Sequence, residues 1–450
     1  MSRHVPGPRA RWAGAGAALL LLLAGLAILL AGYGTGMRLT PCWGGCRSGG
    51  ELGTVLTALT PEQLSIVESG RWWFGHAHTL REGLGPFFNA QSCLECHDTA
   101  LEQGAPRSVP GGAGRDNQVG PFHTQALHAG RTDPDGTFDG LIREGGEVRH
   151  QRTIQDLVPG CVLPPQTVPP DAPFVSPRQA PPLFGLGLID AIPDEAILAQ
   201  ERAAKPDGVR GRANLGPAMD PFVNDHVVGR FGWKAEYTSV LQAVADQYFV
   251  HLGMTSPYEP MEITTPRYWV PNAPAPQISE LPEPCRQALA WPYEANAKGE
   301  VVLALAEFVR ALRPADPTPS PAAERGRQVF AETGCAVCHL PSYTTGPDPD
   351  AALANQPVPL YSDLLIHDLG PANADGIVAG LAHGSDWRTT PLWGLSHRPY
   401  LWHDGRFSAG RDGILGAIRA HGDEAAVAVE RFAALDAADR DDLLAFLLAL

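Results

Sequence analysis

The sequence is short of charge, and above all short of positive charge. Only 18% of its 450 residues are charged, and 34 Lys and Arg stand against 49 Asp and Glu, for a formal net charge of -15. Globular chains carry about a quarter of their residues charged. The deficit of basic residues argues against nucleic acid as a partner. Low charge combined with 49 Gly and 43 Pro argues against a protein of ideal helices and for one rich in loops. Methionine is scarce too, with 5 in the chain and none from Ala322 onward. That excludes a local thioether ligand for any metal centre in the last part.

Polar residues are missing altogether from Ala13 to Leu30, and Arg3, Arg9 and Arg11 precede this run. A charged start followed by an apolar stretch reads as a secretory signal. The run is nearly long enough to span a bilayer and no A-x-A cleavage site follows, so an uncleaved anchor over residues 13–30 stays open. A buried core helix fits less well, because the run has no polar face. In either of the first two cases the Arg-rich end stays inside and the remainder is exported. The expected location is the periplasm or the outer face of the cytoplasmic membrane.

Eight cysteines are present, and four fall into two identical patterns. Cys93-Leu94-Glu95-Cys96-His97 and Cys335-Ala336-Val337-Cys338-His339 each place two thiols three positions apart, with a histidine directly after. This is the attachment pattern of a c-type haem. The spacing lets two thiols reach the two vinyl groups of one haem and carries the histidine under its iron as axial ligand. Zinc would need further paired ligands, and a redox Cys pair would not need the histidine. Two covalent haems are therefore expected, on Cys93, Cys96, Cys335 and Cys338, with His97 and His339 on the irons. The other four cysteines suit disulfides in an oxidising compartment, preferably Cys42 with Cys46 and Cys161 with Cys285, free buried thiols being the alternative.

The chain reads as mainly α, with long Pro/Gly-rich loops. Thr60-Pro61 starts a helix to about Phe74, and others are expected from about Pro193 to Ala204 and from Tyr237 to Leu252. Val301, Val302, Leu305, Phe308, Val309 and Leu312 recur at helical spacing. Ala322 to Thr333 reads as a helix entering the second haem motif, and Asp441 to Leu450 as a closing helix. Residues 104–150 read as turns, and Pro159 to Pro182 as extended chain. The prolines at 314, 317, 319 and 321 mark the best boundary. The expected domains are 1–33 as signal or anchor, 34–313 as a haem domain with long insertions, and 322–450 as a second haem domain. Both halves contain a haem motif, a Pro-Leu-aromatic-Gly-Leu segment (Pro182 to Leu186, Pro391 to Leu395) and a final apolar helix. Two cytochrome-c-like modules account for this repeat.

Several further segments carry a resemblance. Leu84-Gly85-Pro86-Phe87-Phe88-Asn89, Pro181 to Leu188, Gly229 to Ala235, Tyr400 to Arg406 and His421-Gly422-Asp423-Glu424-Ala425 occur in this order. In that combination the chain resembles the bacterial di-haem cytochrome c peroxidase superfamily, over about residues 60–450. It looks closest to the branch of di-haem oxidoreductases described as peroxidase-like or as thiol oxidoreductases. The resemblance implies a reactive N-terminal haem and a C-terminal haem that receives electrons. It implies His421 as second ligand of the C-terminal iron, the alternative being an exposed helix-end histidine. His403 would lie at the haem edge or domain interface, unless it is a turn histidine bonded to Asp404. Where relatives show His-Asp-Met-Gly, this chain has His367-Asp368-Leu369-Gly370.

Around the N-terminal haem, Trp233 matches a Trp near the inter-haem path and Gln242 loosely matches a pocket amide. At the acid position of relatives this chain has His251. That imidazole could shuttle a peroxide proton, could ligate the iron, or could be a polar helix-end residue. His76, His78, His123 and His128 are further candidates for a movable ligand, with none preferred. The implied activity is a peroxidase-like oxidoreductase, with an electron-donor cytochrome and hydrogen peroxide or another small oxidant as partners. A non-catalytic electron carrier with both irons doubly ligated, and an oxidase of protein or thiol substrates, are the alternatives. Calcium between the domains is not readable from the residues.

Overall fold

The computed structural model describes residues 54–56, 59–97, 125–141, 144–215, 227–258, 281–289 and 299–450. The segment 1–33, Cys42, Cys46 and His123 lie outside the described residues. Helix α1 (Pro61–Gly75) begins where Thr60 and Gln63 cap each other reciprocally and Pro61 fills the first turn. Next in order come α2 (Leu186–Asp190), α3 (Asp194–Arg202), α4 (Val240–Leu252) and α5 (Glu283–Leu289). They are followed by α6 (Glu300–Ala311), α7 (Pro321–Thr333), α8 (Arg411–Arg419), α9 (Ala426–Ala434) and α10 (Ala437–Ala449). Among the described residues, no helix is long and apolar enough to cross a membrane.

The same helix crossing is built twice. A Cβ at Gly70 in α1 would overlap the Ala304 carbonyl of α6, and one at Gly326 in α7 would overlap the Asp442 carbonyl of α10. Glycine at the crossing lets the backbones touch. One turn later the contact becomes aromatic, with Phe74 and Phe308 centroids 5.3 Å apart and Phe330 and Phe446 centroids 5.2 Å apart. The Pro-Leu-aromatic-Gly-Leu segments also repeat a contact. Gly185 N donates to the Leu312 carbonyl (2.9 Å) and Gly394 N to the Leu450 carbonyl (2.6 Å), each just past the closing helix.

Around these pairs lie two main cores. Val329, Phe330, Leu443, Phe446 and Leu447 build one, with Ile414 and Phe432. The other joins Phe74, Tyr248, Phe308 and Val309 to Leu360, Leu364, Leu365 and Trp393 from beyond residue 340. Both halves belong to one compact unit, Gly50–Leu450.

The regions expected as turns and extended chain hold a sheet. Among the described residues, twelve short strands run from β1 (Phe87–Phe88) through β2 (Gln125–Thr132), β3 (Phe138–Asp139), β4 (Val148–Arg149), β5 (Arg152–Thr153) and β6 (Phe174–Gln179). The rest are β7 (Tyr343–Thr344), β8 (Pro357–Val358), β9 (Ile366–Asp368), β10 (Asp386–Arg388), β11 (Tyr400–Leu401) and β12 (Phe407–Ser408). Antiparallel β2 is the centre of a four-stranded sheet, with β3 and β4 on one side and β6 on the other, His128 opposite Ser176. Pro177 sits in β6, which among the described strands pairs with β2 alone, a place that tolerates a residue without an N–H. A disulfide joins Cys161 to Cys285 with Cα atoms 4.8 Å apart, the preferred pairing. It ties α5 to the loop after β5, within a small core of Phe87, Ile154, Leu163 and Phe249.

Candidate haem centres

Each Cys-x-x-Cys-His motif forms a single tight turn, over Cys93–Glu95 and Cys335–Val337. The histidine amide closes it, His97 N on the Cys93 carbonyl (3.0 Å) and His339 N on the Cys335 carbonyl (2.9 Å). None of the four cysteines is in a disulfide. Burial pushes the Cys93 and Cys335 thiols up to about 12, so both stay protonated near neutrality. A redox-active pair needs the opposite shift.

In the second motif His339 faces His421, with ring centroids 6.5 Å apart. The Nδ1 atom of His339 bonds the Tyr361 carbonyl (3.0 Å) and that of His421 the Ala417 carbonyl (2.8 Å). Both Nδ1 atoms act as donors there, which leaves each Nε2 lone pair free for a metal. Burial, then His421, holds His339 at about 4, and burial also lowers His421. Neutral imidazoles are the form that ligates. Trp402 stands edge-on to His421 at 5.0 Å, and its buried Nε1 has no hydrogen-bond partner. A buried indole N–H without an acceptor fits a bound group that brings one.

His97, in the first motif, lies 6.1 Å from the Phe74 ring, and burial lowers it to about 4 against the Pro181 carbonyl that accepts from it. Among the described residues no second imidazole stands at the His339–His421 spacing from it. His251, at the end of α4, lies within electrostatic range. The His251 carbonyl accepts from the amides of Asn89 (2.6 Å) and Ala90 (3.3 Å), and its Nδ1 is 3.5 Å from Asn89 Nδ2. Burial, then His128, His150 and His97, pushes it to about 3. His251 is therefore a neutral ring near pH 7 and a weak base in this setting, with ring nitrogens that can hydrogen-bond or ligate.

Gln242 stands at the opposite end of α4 from His251. Its Oε1 accepts from Thr238 N (2.8 Å), capping the start of α4, while His251 closes the same helix nine residues on. The helix separates them by roughly 13 Å along its axis. Trp233 donates Nε1–H to the Gln179 carbonyl (2.8 Å), two residues before Pro181. Its ring lies 6.5 Å from His403, and His403 lies 6.4 Å from Trp402. These contacts join Trp233, His403, Trp402 and His421 into one chain of rings that reaches His339. His403 also stacks on Trp387 at 3.6 Å, so its partner is a ring rather than the Asp404 turn alone.

Reading the sequence missed the polar groups that hold this chain in place. Lys234 is fully buried, its Nζ bonded to the carbonyls of His383 (2.8 Å) and Asp386 (3.0 Å) and 4.0 Å from the Trp387 centroid. Burial lowers it to about 8, partly offset by Asp375. Asp375 also binds buried Arg178 (2.8 Å), and Arg178 continues to Glu147, which pairs with His128. The Gly229 to Ala235 segment was the one available signal, as the place where Lys234 stands. Nothing in the sequence joined it to Arg178, Asp375 or Glu147.

No curated protein matches the chain. Among solved structures, a MauG-like protein associated with microbial copper homeostasis is similar at 14% identity over 92% of this chain and 95% of that one, with a TM-score of 0.35. Hydrazine synthase of Kuenenia stuttgartiensis is similar over 34% of this chain, at 19% identity and a TM-score of 0.23, and the chain spans 56% of that protein. A family model matches residues 171–450, which include the second motif, the ring chain and His251. The chain belongs to that family, described as "Di-haem oxidoreductase, putative peroxidase".

Proposed function

We propose that the protein is an exported di-haem c-type oxidoreductase that reduces a small oxidant, hydrogen peroxide being the expected one. Cys93 and Cys96 would hold one haem with His97 on its iron, and Cys335 and Cys338 the other with His339. Bound at these positions, haem supplies one-electron transfer and, where an iron face is open, reduction of an oxidant. The observation that carries the reading is the asymmetry between the motifs. His339 faces His421 across 6.5 Å, whereas among the described residues no second imidazole stands at that spacing from His97. A doubly ligated centre relays electrons and an open one reacts.

Electrons from a donor, a cytochrome or similar redox protein, would enter at the His339 motif. The ring chain of Trp402, His403 and Trp233 supports onward passage, since Trp233 ends on Gln179 and His97 on Pro181 in the same short segment. Neutral His251, beside Asn89 and within electrostatic range of His97, would offer a ring nitrogen to a small oxidant bound near the His97 motif. The apolar run 13–30 supports export, as a cleaved signal or as an anchor. The acidic net charge of -15 suits a basic donor.

The test is an EPR and optical spectrum of the half-reduced full-length protein, before and after peroxide. One high-spin haem that peroxide perturbs is the expected result. Two low-spin haems indifferent to peroxide would instead favour the non-catalytic electron carrier.

A further inference from the structure

The segment between α1 and the first Cys-x-x-Cys-His motif contains a group of side chains that the redox reading does not use. His76 caps the end of α1, and its Nε2 lies 2.8 Å from Glu82 Oε1. The other carboxylate oxygen of Glu82 accepts from Thr79 N and Thr79 Oγ1, both at 2.9 Å, which fixes the carboxylate and leaves Oε1 pointing at His76. His78 completes the group. One nitrogen from each histidine and one carboxylate oxygen all lie within 4.8 Å of one another.

His78 is the second and independent observation. Its side chain is fully buried, with 0% exposure, and neither Nδ1 nor Nε2 has a hydrogen-bond partner. A buried polar atom left unpaired costs about 1–3 kcal/mol, so an imidazole with both nitrogens empty calls for an explanation. The ring is not loosely placed. It stacks on Trp73 with an interplanar angle of 3° and meets Tyr248 edge-on at 5.4 Å. Its backbone is pinned as well, His78 N donating to the Gln91 carbonyl (2.8 Å) and Gln91 Nε2 to the His78 carbonyl (3.2 Å).

We propose that His76, His78 and Glu82 bind one divalent transition-metal ion of the zinc type. Two imidazoles and a carboxylate are borderline donors that suit Zn²⁺ and its first-row neighbours, whereas Ca²⁺ and Mg²⁺ demand oxygen. Ligands at about 2.1 Å from one ion sit roughly 3.0–3.4 Å apart, so a pair as wide as 4.8 Å must close by roughly 1.4–1.8 Å, a side-chain adjustment. The ion gives a buried His78 nitrogen its missing partner and replaces the His76–Glu82 hydrogen bond with two metal bonds. Three protein ligands leave a coordination position open, and half-buried His76 and Glu82 give the ion a way in from solvent. Because Gln91 stands two residues before Cys93, the ion would clamp the lead-in to the first motif.

The experiment is calorimetric titration of the full-length, haem-loaded protein, stripped with EDTA, using Zn²⁺ and in parallel Ca²⁺. Metal content is measured after desalting. One Zn²⁺ per chain and no Ca²⁺ is expected. His76→Ala, Glu82→Gln and His78→Ala should each weaken Zn²⁺ by more than about a hundredfold, since loss of an outer partner alone costs 10–100-fold. The haem spectrum should not change. Should His78→Ala fail to fold, half-buried His76 carries the test. The proposal is overturned by a wild-type chain that binds no stoichiometric Zn²⁺, or by variants that bind it as wild type does. It is equally overturned if His78→Ala alters the haem spectrum while Zn²⁺ binding survives, since the ring would then serve the haem.

Discussion

His339 and His421 face each other with ring centroids 6.5 Å apart, each with Nδ1 tied to a backbone carbonyl. Loops of different length deliver the two rings. His339 follows the turn that ends α7, and His421 follows α8, which β12 leads into. Substitution of His421 by Ala should therefore turn one low-spin haem into a high-spin one, read in the EPR and optical spectra. The His97 centre should keep its own signature. An unchanged spectrum would remove His421 from the iron.

Trp402 lies between His421 and His403, at 5.0 Å and 6.4 Å. Replacing it by Leu keeps apolar bulk and removes the ring from the chain. Stopped-flow oxidation of the reduced protein should slow several-fold while both haems stay bound and keep their spin states. Arg406, which lies over the Trp402 ring at 5.2 Å, should give a smaller effect when replaced by Gln. If the Leu variant transfers electrons at the wild-type rate, the path runs elsewhere.

Glu424 should govern acid stability. Against the upward push of burial, His367 and the amides of Arg210 and Gly211 hold its carboxyl at about 2, below its ordinary 4.5. A carboxyl with a lowered folded pKa adds stability that is complete above about pH 4.5 and is lost as pH falls toward 2. The shift corresponds to roughly 3 kcal/mol at neutral pH. Glu424→Gln should lose about this much at pH 7 and show a flatter stability curve between pH 5 and 2, measured by urea unfolding at a series of pH values. His367 has the opposite sign. Asp363, Cys338 and Glu424 outweigh burial and raise it well above 6.5, so its contribution is full below that value and fades only as pH climbs through the raised pKa.

The parts legible in the sequence are those set by local chemistry. The Thr60 cap, the 3.6-residue spacing of Val302, Leu305 and Val309, and the two cysteine motifs each act over a single helix or turn. The even count of spare cysteines made disulfides expected, but the Cys161–Cys285 pairing was only a preference until the fold brought the two together. Strand β2 was hidden because Gln125 to Thr132 shows no alternation and two of its three partners start 16 and 42 residues later, at Val148 and Phe174. The role of Gln242 was not legible for a related reason. An amide three residues into a helix can cap it or face a pocket, and here its oxygen is spent on Thr238. Lys234 and Asp375 meet across 141 positions, and no local pattern marks such a pair.

The two glycine crossings give a prediction that separates the halves. An α-helix ordinarily gains about 1 kcal/mol when Gly becomes Ala. At Gly326 the added methyl group would strike the Asp442 carbonyl and the Phe446 Cβ, both fixed by the core of α10. Overpacking of this kind costs about 1–3 kcal/mol and leaves no flexible side chain to yield. Gly326→Ala should thus destabilise, with hydrogen exchange accelerated first in α7 and α10, and with the second haem's spectrum disturbed. Gly70→Ala should reproduce the effect in α1 and α6, where the obstacles are the Ala304 carbonyl and Phe308 Cβ, and disturb the first haem instead. Gln328→Ala on the exposed face of α7 should stay within about 0.5 kcal/mol of wild type, since only Glu332 is lost as a partner. Equal, unlocalised destabilisation by both glycine variants would mean that the halves do not pack as separate crossings.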